Sequence, residues 1–245
     1  MVRVERNDGV EVVTLDRPER RNAVDHSTLV ELLEIQERLA SDAISSVRAV
    51  ILCGAAPAFS AGADLNGVEE GVFTADLGRV LRGFGALPVP VIASIDGPAL
   101  GAGTQLVVAC DLRIATPDSV LGVPAARLGL AVDLWTIDTV EREFGSAVAH
   151  GMLVGAETYT AERLHTLGAI HRLGDLDAAV EWAQRLTALA PLTMQAHKAA
   201  LRVGRHDDDR VERYEVLRSG AWASADAEEG RNAFLEKRRA TFTGA

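Results

Sequence analysis

The chain has 245 residues, 48% hydrophobic and 24% charged, a balance that suits one globular domain, or one with an appendage, and excludes wholesale disorder and coiled coil. A chain this size buries roughly 70–75% of its unfolded surface and needs no disulfide or metal staple. With 25 Lys+Arg against 35 Asp+Glu, the net charge of −10 argues against nucleic acid and acidic membranes as partners, because both require a cationic surface. An anionic small ligand remains compatible, since backbone N–H groups and local cations act against the global sign. Cys53 and Cys110 lie in apolar surroundings without CxxC spacing, which fits a reducing compartment. The first six residues hold no apolar h-region, and the apolar run 89–95 is far short of the ~20 residues a membrane span needs. The expectation is a cytoplasmic chain with no membrane segment.

Val2 and Val4, then Val10 and Val12, alternate about Asn7-Asp8-Gly9 and predict an opening hairpin. Leu29, Leu32, Leu33 and Leu39 follow helical spacing over 27–40. Residues 47–52 predict a buried strand, 53–65 a loop of small residues, and 75–86 a helix. A second buried strand is expected over 88–95, with Pro88 and Pro90 at its start, where a missing N–H matters least. The run Gly97-Pro98-Ala99-Leu100-Gly101-Ala102-Gly103 then opens a short apolar helix over 104–110, a place where backbone donors can face a ligand. Short strands follow at 112–115 and 120–122. From Asp133 onward the pattern is almost wholly helical, over 133–144, 146–154, 160–167, 176–190, 192–203 and 210–238. Short strands, then mixed strand–helix units, then helices give an α/β core with a helical C-terminal region.

Three segments carry chemistry. The first is Leu15-Asp16-Arg17-Pro18-Glu19-Arg20-Arg21-Asn22-Ala23, and the second is Ala58-Phe59-Ser60-Ala61-Gly62-Ala63-Asp64-Leu65. The third, Ile95-Asp96-Gly97-Pro98-Ala99-Leu100-Gly101-Ala102-Gly103-Thr104-Gln105-Leu106, is followed by Cys110-Asp111. Small residues at 60–63 and 101–103 let two stretches of backbone approach a ligand and aim N–H groups at one point. The simpler reading is that these glycines only make tight turns. In order and spacing the segments resemble the enoyl-CoA hydratase/isomerase (crotonase) superfamily, with a weaker echo at Phe234-Leu235-Glu236-Lys237-Arg238. The resemblance covers almost the whole chain.

The resemblance implies a crotonase-like ββα spiral core over 1–190 and a C-terminal helical oligomerisation region over 191–245, assembling as a homotrimer or dimer of trimers. It also implies an acyl-CoA thioester as ligand, with coenzyme A as part of it and no metal. The N–H groups of Ala63 and Ala102 would form an oxyanion hole. Ala102 stands where the family has Gly, which need not matter because the donor is backbone. Adenine would rest on backbone near Ala61, Ala63, Asp64 and Leu65. Asn66 stands where many members carry a phosphate-binding Lys, so Arg20, Arg21 and Lys237 are candidates to supply that charge, although such residues more often lie on solvated faces.

Hydrating a double bond conjugated to a thioester needs a base to activate water and an acid to protonate carbon 2. The family's two carboxylates for this work fall at Gln105 and Ala125. An amide cannot exchange protons usefully near neutral pH, and a methyl group has no acid or base function. Asp133 is the remaining nearby carboxylate. It reads either as a helix N-cap or, as in some superfamily members, as a nucleophile or polar catalytic group. The histidines fall in no motif, and Asp207-Asp208-Asp209 reads as a solvated turn. Three functions follow: a hydratase-like acyl-CoA-binding protein of lipid metabolism with weak or lost hydratase chemistry, an active enzyme on acyl-CoA thioesters using Asp133, or a non-enzymatic partner subunit.

Overall fold

The computed structural model describes residues 1–64, 70–128, 130–202, 216, 219–220 and 222–245. Strand β1 (Val2–Asn7) turns into β2 (Val10–Leu15) through Asp8 and Gly9, whose φ angles are 47° and 76°. Positive φ at both central residues is what a type I′ hairpin turn requires. Beyond that antiparallel hairpin, β3 (Ala49–Gly54), β4 (Val91–Ile95), β6 (Leu112–Ala115) and β9 (Arg172–Leu173) add in parallel, completing a six-stranded sheet in the order β1-β2-β3-β4-β6-β9. Strands β5 (Ala99–Leu100), β7 (Val120–Gly122) and β8 (Thr158–Thr160) form a second, three-stranded sheet.

The six-stranded sheet is covered on both faces, which is why β3 and β4 read as unbroken apolar runs. Successive side chains point to opposite faces. Val50, Leu52, Val91 and Ala93 join the core built with α1 (His26–Asp42), α2 (Glu70–Ala86) and α3 (Ala102–Ala109). Ala49, Ile51 and Ile92 instead pack on Ala179, Trp182 and Ala183 of α7 (Leu176–Thr187). The remaining helices are α4 (Leu134–Phe144), α5 (Ser146–Leu153), α6 (Ala161–Thr166), α8 (Pro191–Arg202) and α9 (Ala225–Glu236).

The structure corrects the wholly helical reading of the second half, where β8 and β9 interrupt the helices. With three and two residues and no fully buried side chain, neither leaves a period-two trace. The expected helix over 210–238 is described as α9, and residues 203–215, 217–218 and 221 lie outside the described residues. Among the described residues no helix is long and apolar enough to cross a membrane. Both cysteines are free and buried, and burial raises both thiols, Cys110 to about 12.

Among the described residues Glu11, Arg113 and Asp226 are buried charges, and Glu11 is the most completely enclosed. Glu11 on β2 is 0% exposed, and its carboxylate receives Arg38 Nη2 at 2.5 Å and Arg6 Nη2 at 2.7 Å. Burial pushes this carboxyl upward, and the bonds from Arg38 and Arg6 outweigh it and hold the group below its ordinary value. Glu11→Ala strands two guanidiniums that still reach water and Asp42. Its expected cost is therefore about 2–3 kcal/mol, below the range for a fully sealed pair, read as a lower denaturant midpoint; an unchanged midpoint would show the cluster to be neutral.

Candidate functional site

The three sequence motifs lie at or within a few residues of the C-terminal ends of β2, β3 and β4, the edge of a parallel sheet where ligands bind in open α/β folds. Side chains from the first motif fasten the second. Asn22, 2% exposed at φ 55°, accepts the Arg17 N–H at 2.9 Å and donates to Ala55 O at 2.7 Å and Ala58 O at 2.6 Å. Ser60 Oγ donates to Asn22 O at 2.7 Å and accepts the Gly62 N–H at 3.2 Å. The second motif is bridged to the third by Ser60 N to Pro98 O at 3.0 Å and Leu100 N to Ser60 O at 2.9 Å. Thr104 then holds the start of α3, with Oγ1 2.6 Å from Ala99 O and accepting the Gly122 N–H at 3.0 Å.

The glycines do more than turn the chain. A Cβ on Gly62, at φ 107°, would lie 2.9 Å from Leu100 O and 3.7 Å from Ala102 N, and one on Gly103 would lie 2.6 Å from Ser60 O. Only hydrogen at these positions lets the two loops touch. Their contact brings Ala63 and Ala102 together. The bridge between Val24 and Ala63 uses the Gly62 carbonyl and the Asp64 amide, each bond 2.8 Å, so the N–H of Ala63 faces the other way. Ala102 is the first residue of α3, where an N–H has no intrahelical acceptor. Neither N–H has an acceptor among the described residues.

Other expected ligand residues are less well gathered. Ala61 is exposed beside Gly62 and donates its N–H to Arg21 O at 2.9 Å. The Asp64 carboxylate lies 3.4 Å from Arg17 Nη2, and Arg17 also reaches Asp25 at 3.0 Å. That carboxylate therefore ties the second motif to the first. Leu65 and Asn66 lie outside the described residues. Arg20 and Arg21 are exposed, with no ion pair among the described residues. Lys237 follows α9, and the tail beyond it docks at the far end of the sheet, where Arg48, just before β3, donates to Phe242 O at 3.2 Å. Within one chain no described contact joins Lys237 to the loops.

Gln105 lies one helical turn beyond Ala102. Its Nε2 donates to Thr136 Oγ1 at 2.9 Å, and the Thr136 hydroxyl donates to Asp133 Oδ1. The same oxygen accepts the Thr136 N–H at 3.1 Å, so Asp133 is the N-cap of α4, with its carboxylate on the exposed side. Thr136 is the link that motif spacing missed; helical phase alone, placing it on the buried side of α4, could have suggested it.

Ala125 sits half-buried on a 3-10 turn, Pro124–Leu128. It lines an apolar cavity of about 310 Å³ with Val132, Ile137 and Leu153, and Glu141 and His150 are the polar residues at its wall. Gly129 lies outside the described residues. Another face of α4 presents Trp135 and Arg142 to a cavity of about 500 Å³ shared with Arg82, Lys198 and Arg202. Among the described residues no cluster of three or more His, Cys, Asp or Glu side chains could hold a metal.

The sequence profile described as enoyl-CoA hydratase/isomerase matches residues 5–245. The chain belongs to the enoyl-CoA hydratase/isomerase family. It is 41% identical over 254 residues to the probable enoyl-CoA hydratase echA6 of Mycobacterium tuberculosis, covering 100% of both chains. It is 31% identical to the 2,3-dehydroadipyl-CoA hydratase of Escherichia coli, covering 98% of each. Among solved structures, the enoyl-CoA hydratase of Bacillus anthracis superposes with a TM-score of 0.89 at 27% identity, covering 100% of this chain and 99% of that one. EchA1 of Mycobacterium marinum gives 0.86 at 31%, with 100% and 99% coverage. The fold is thus crotonase-like, with a helical C-terminal region, and the family acts on acyl-CoA thioesters.

Gly62→Ala drives a methyl against Leu100 O and parts the loops. The expected outcome is a lower melting temperature and roughly tenfold or greater loss of affinity for an acyl-CoA thioester, measured by calorimetry. Unchanged affinity would show that the loop contact is dispensable.

Proposed function

We propose that this chain is a hydratase-like acyl-CoA-binding protein of lipid metabolism whose hydratase chemistry is weak or lost. The thioester carbonyl sits between the N–H groups of Ala63 and Ala102, two backbone donors that polarise it. Coenzyme A runs along Ala61 to Leu65, with Arg20 and Arg21 as exposed cations for its phosphates. Lys237 reaches such a ligand only in an assembly of copies, for which a homotrimer or dimer of trimers is the proposal.

The observation that carries this reading is Gln105, whose amide nitrogen is spent on Thr136, paired with the methyl of Ala125. Acid and base groups each contribute about 10²–10⁴-fold, so replacing both leaves only orientation and carbonyl polarisation. A second reading rests on the exposure of Asp133, whose Oδ2 has no partner among the described residues. Here Asp133 would act as nucleophile or base on the acyl-CoA.

Turnover of a short and a long trans-2-enoyl-CoA, followed by mass spectrometry, separates the two. On the first reading the wild type stays near background, Asp133→Asn changes nothing, and Gln105→Glu/Ala125→Glu gains about 10²-fold or more. No gain in a correctly folded double variant counts against it. Substantial wild-type turnover that disappears in Asp133→Asn moves the assignment to the second reading.

A further inference from the structure

Helix α3 is almost sealed. Thr104, Leu106, Val107, Val108 and Ala109 are 0–1% exposed, whereas Ala102 keeps 5% and Gln105 keeps 6%. These two residues are three apart, hence on one face, about 4.5 Å along the helix axis. The open sliver of α3 therefore runs from Ala102 to Gln105.

The polarity of that side chain is fixed by its partners. Asp133 Oδ1 accepts both the N–H and the hydroxyl of Thr136. The hydroxyl has one proton, already given to Asp133, so toward Gln105 it can only accept. Gln105 must therefore turn its nitrogen to Thr136; the flipped amide would set two acceptors against each other. Oε1 is left facing outward. It takes no bond among the described residues, and it is not sealed from solvent, since the one buried side-chain atom without a partner there is Arg48 Nε.

We infer that Gln105 is a fixed hydrogen-bond acceptor that selects acyl-CoA thioesters carrying a hydroxyl on carbon 3 over their unsaturated and saturated counterparts, with Thr136 and Asp133 as positioning residues. The inference rests on the proposed acyl-CoA reading. In this reading the acyl chain leads from a thioester oxygen on the Ala102 N–H along the face toward Gln105, which brings carbon 3, two bonds beyond the carbonyl carbon, to that side chain. A hydroxyl there donates to Oε1. An enoyl or saturated chain offers no donor and leaves the acceptor unpaired beside apolar atoms.

The test measures Kd by calorimetry for saturated, trans-2-enoyl and both epimers of 3-hydroxyacyl-CoA, in the butanoyl and decanoyl series. One 3-hydroxy epimer is expected to bind about five- to tenfold tighter than its saturated counterpart, the worth of one neutral hydrogen bond. That ratio falls to about one in Gln105→Leu and Thr136→Val and survives in Thr136→Ser, whereas a purely structural role would shift all the ligands together. Should Thr136→Val fail to fold, Gln105→Leu and the wild-type ratio decide the matter. Equal affinities for all the wild-type ligands overturn the inference and leave acyl-CoA binding standing. Absence of binding by every thioester overturns the acyl-CoA reading, and the inference with it.

Discussion

The site depends on a knot of side-chain-to-backbone hydrogen bonds from Asn22 and Ser60. The loops after β2, β3 and β4 have little repetitive structure of their own, and a backbone donor is useful only if its loop is held to within about half an ångström. Asn22 spends its amide on the first and second motifs, and Ser60 links both to the third. The glycines at 62 and 103 then set how closely the fastened loops approach. The placement of Ala63 and Ala102 is thus inherited from side chains and glycines elsewhere in the three loops.

A second constraint is the single proton on Thr136. It makes Gln105 and Asp133 a matched pair: the carboxylate that caps α4 takes the proton, and the amide tolerates its loss. A carboxylate at 105 would need the same proton and would face a like charge through one hydroxyl. The amide is therefore not simply a carboxylate that has lost its acidity; its N–H also meets the acceptor that the neighbouring cap leaves on Thr136.

The legible parts of the chain were those with a strong period. The hairpin, α1, β3 and β4 announce themselves through alternation, helical spacing or a buried β-branched run. β5, β8 and β9 do not, because two or three residues hold no period and pair through contacts distant in sequence. The site divides in the same way. The small residues at 60–63 and 101–103 allowed a close backbone approach or mere tight turns, and the cap at Asp133 was one of the two readings its place before a helix offered. The bond from Gln105 to Thr136 spans 31 positions, and the Arg17–Asp64 pair spans 47. Such pairings follow from tertiary placement and leave no local trace. Lys237 shows the converse, for a motif-like run near the C-terminus says nothing about which end of the sheet its tail will meet.

The two buried thiols have a practical consequence. Cys53 rests against Thr14, and Cys110 donates to Leu106 O from within α3's surroundings. Burial keeps both protonated at neutral pH, and alkylating reagents attack the thiolate. A cysteine introduced at exposed Arg20 or Lys237 would thus be the dominant reactive sulfur without prior removal of the native pair. A fluorophore or spin label attached there would report distances from the loops and from the tail in an otherwise unaltered chain.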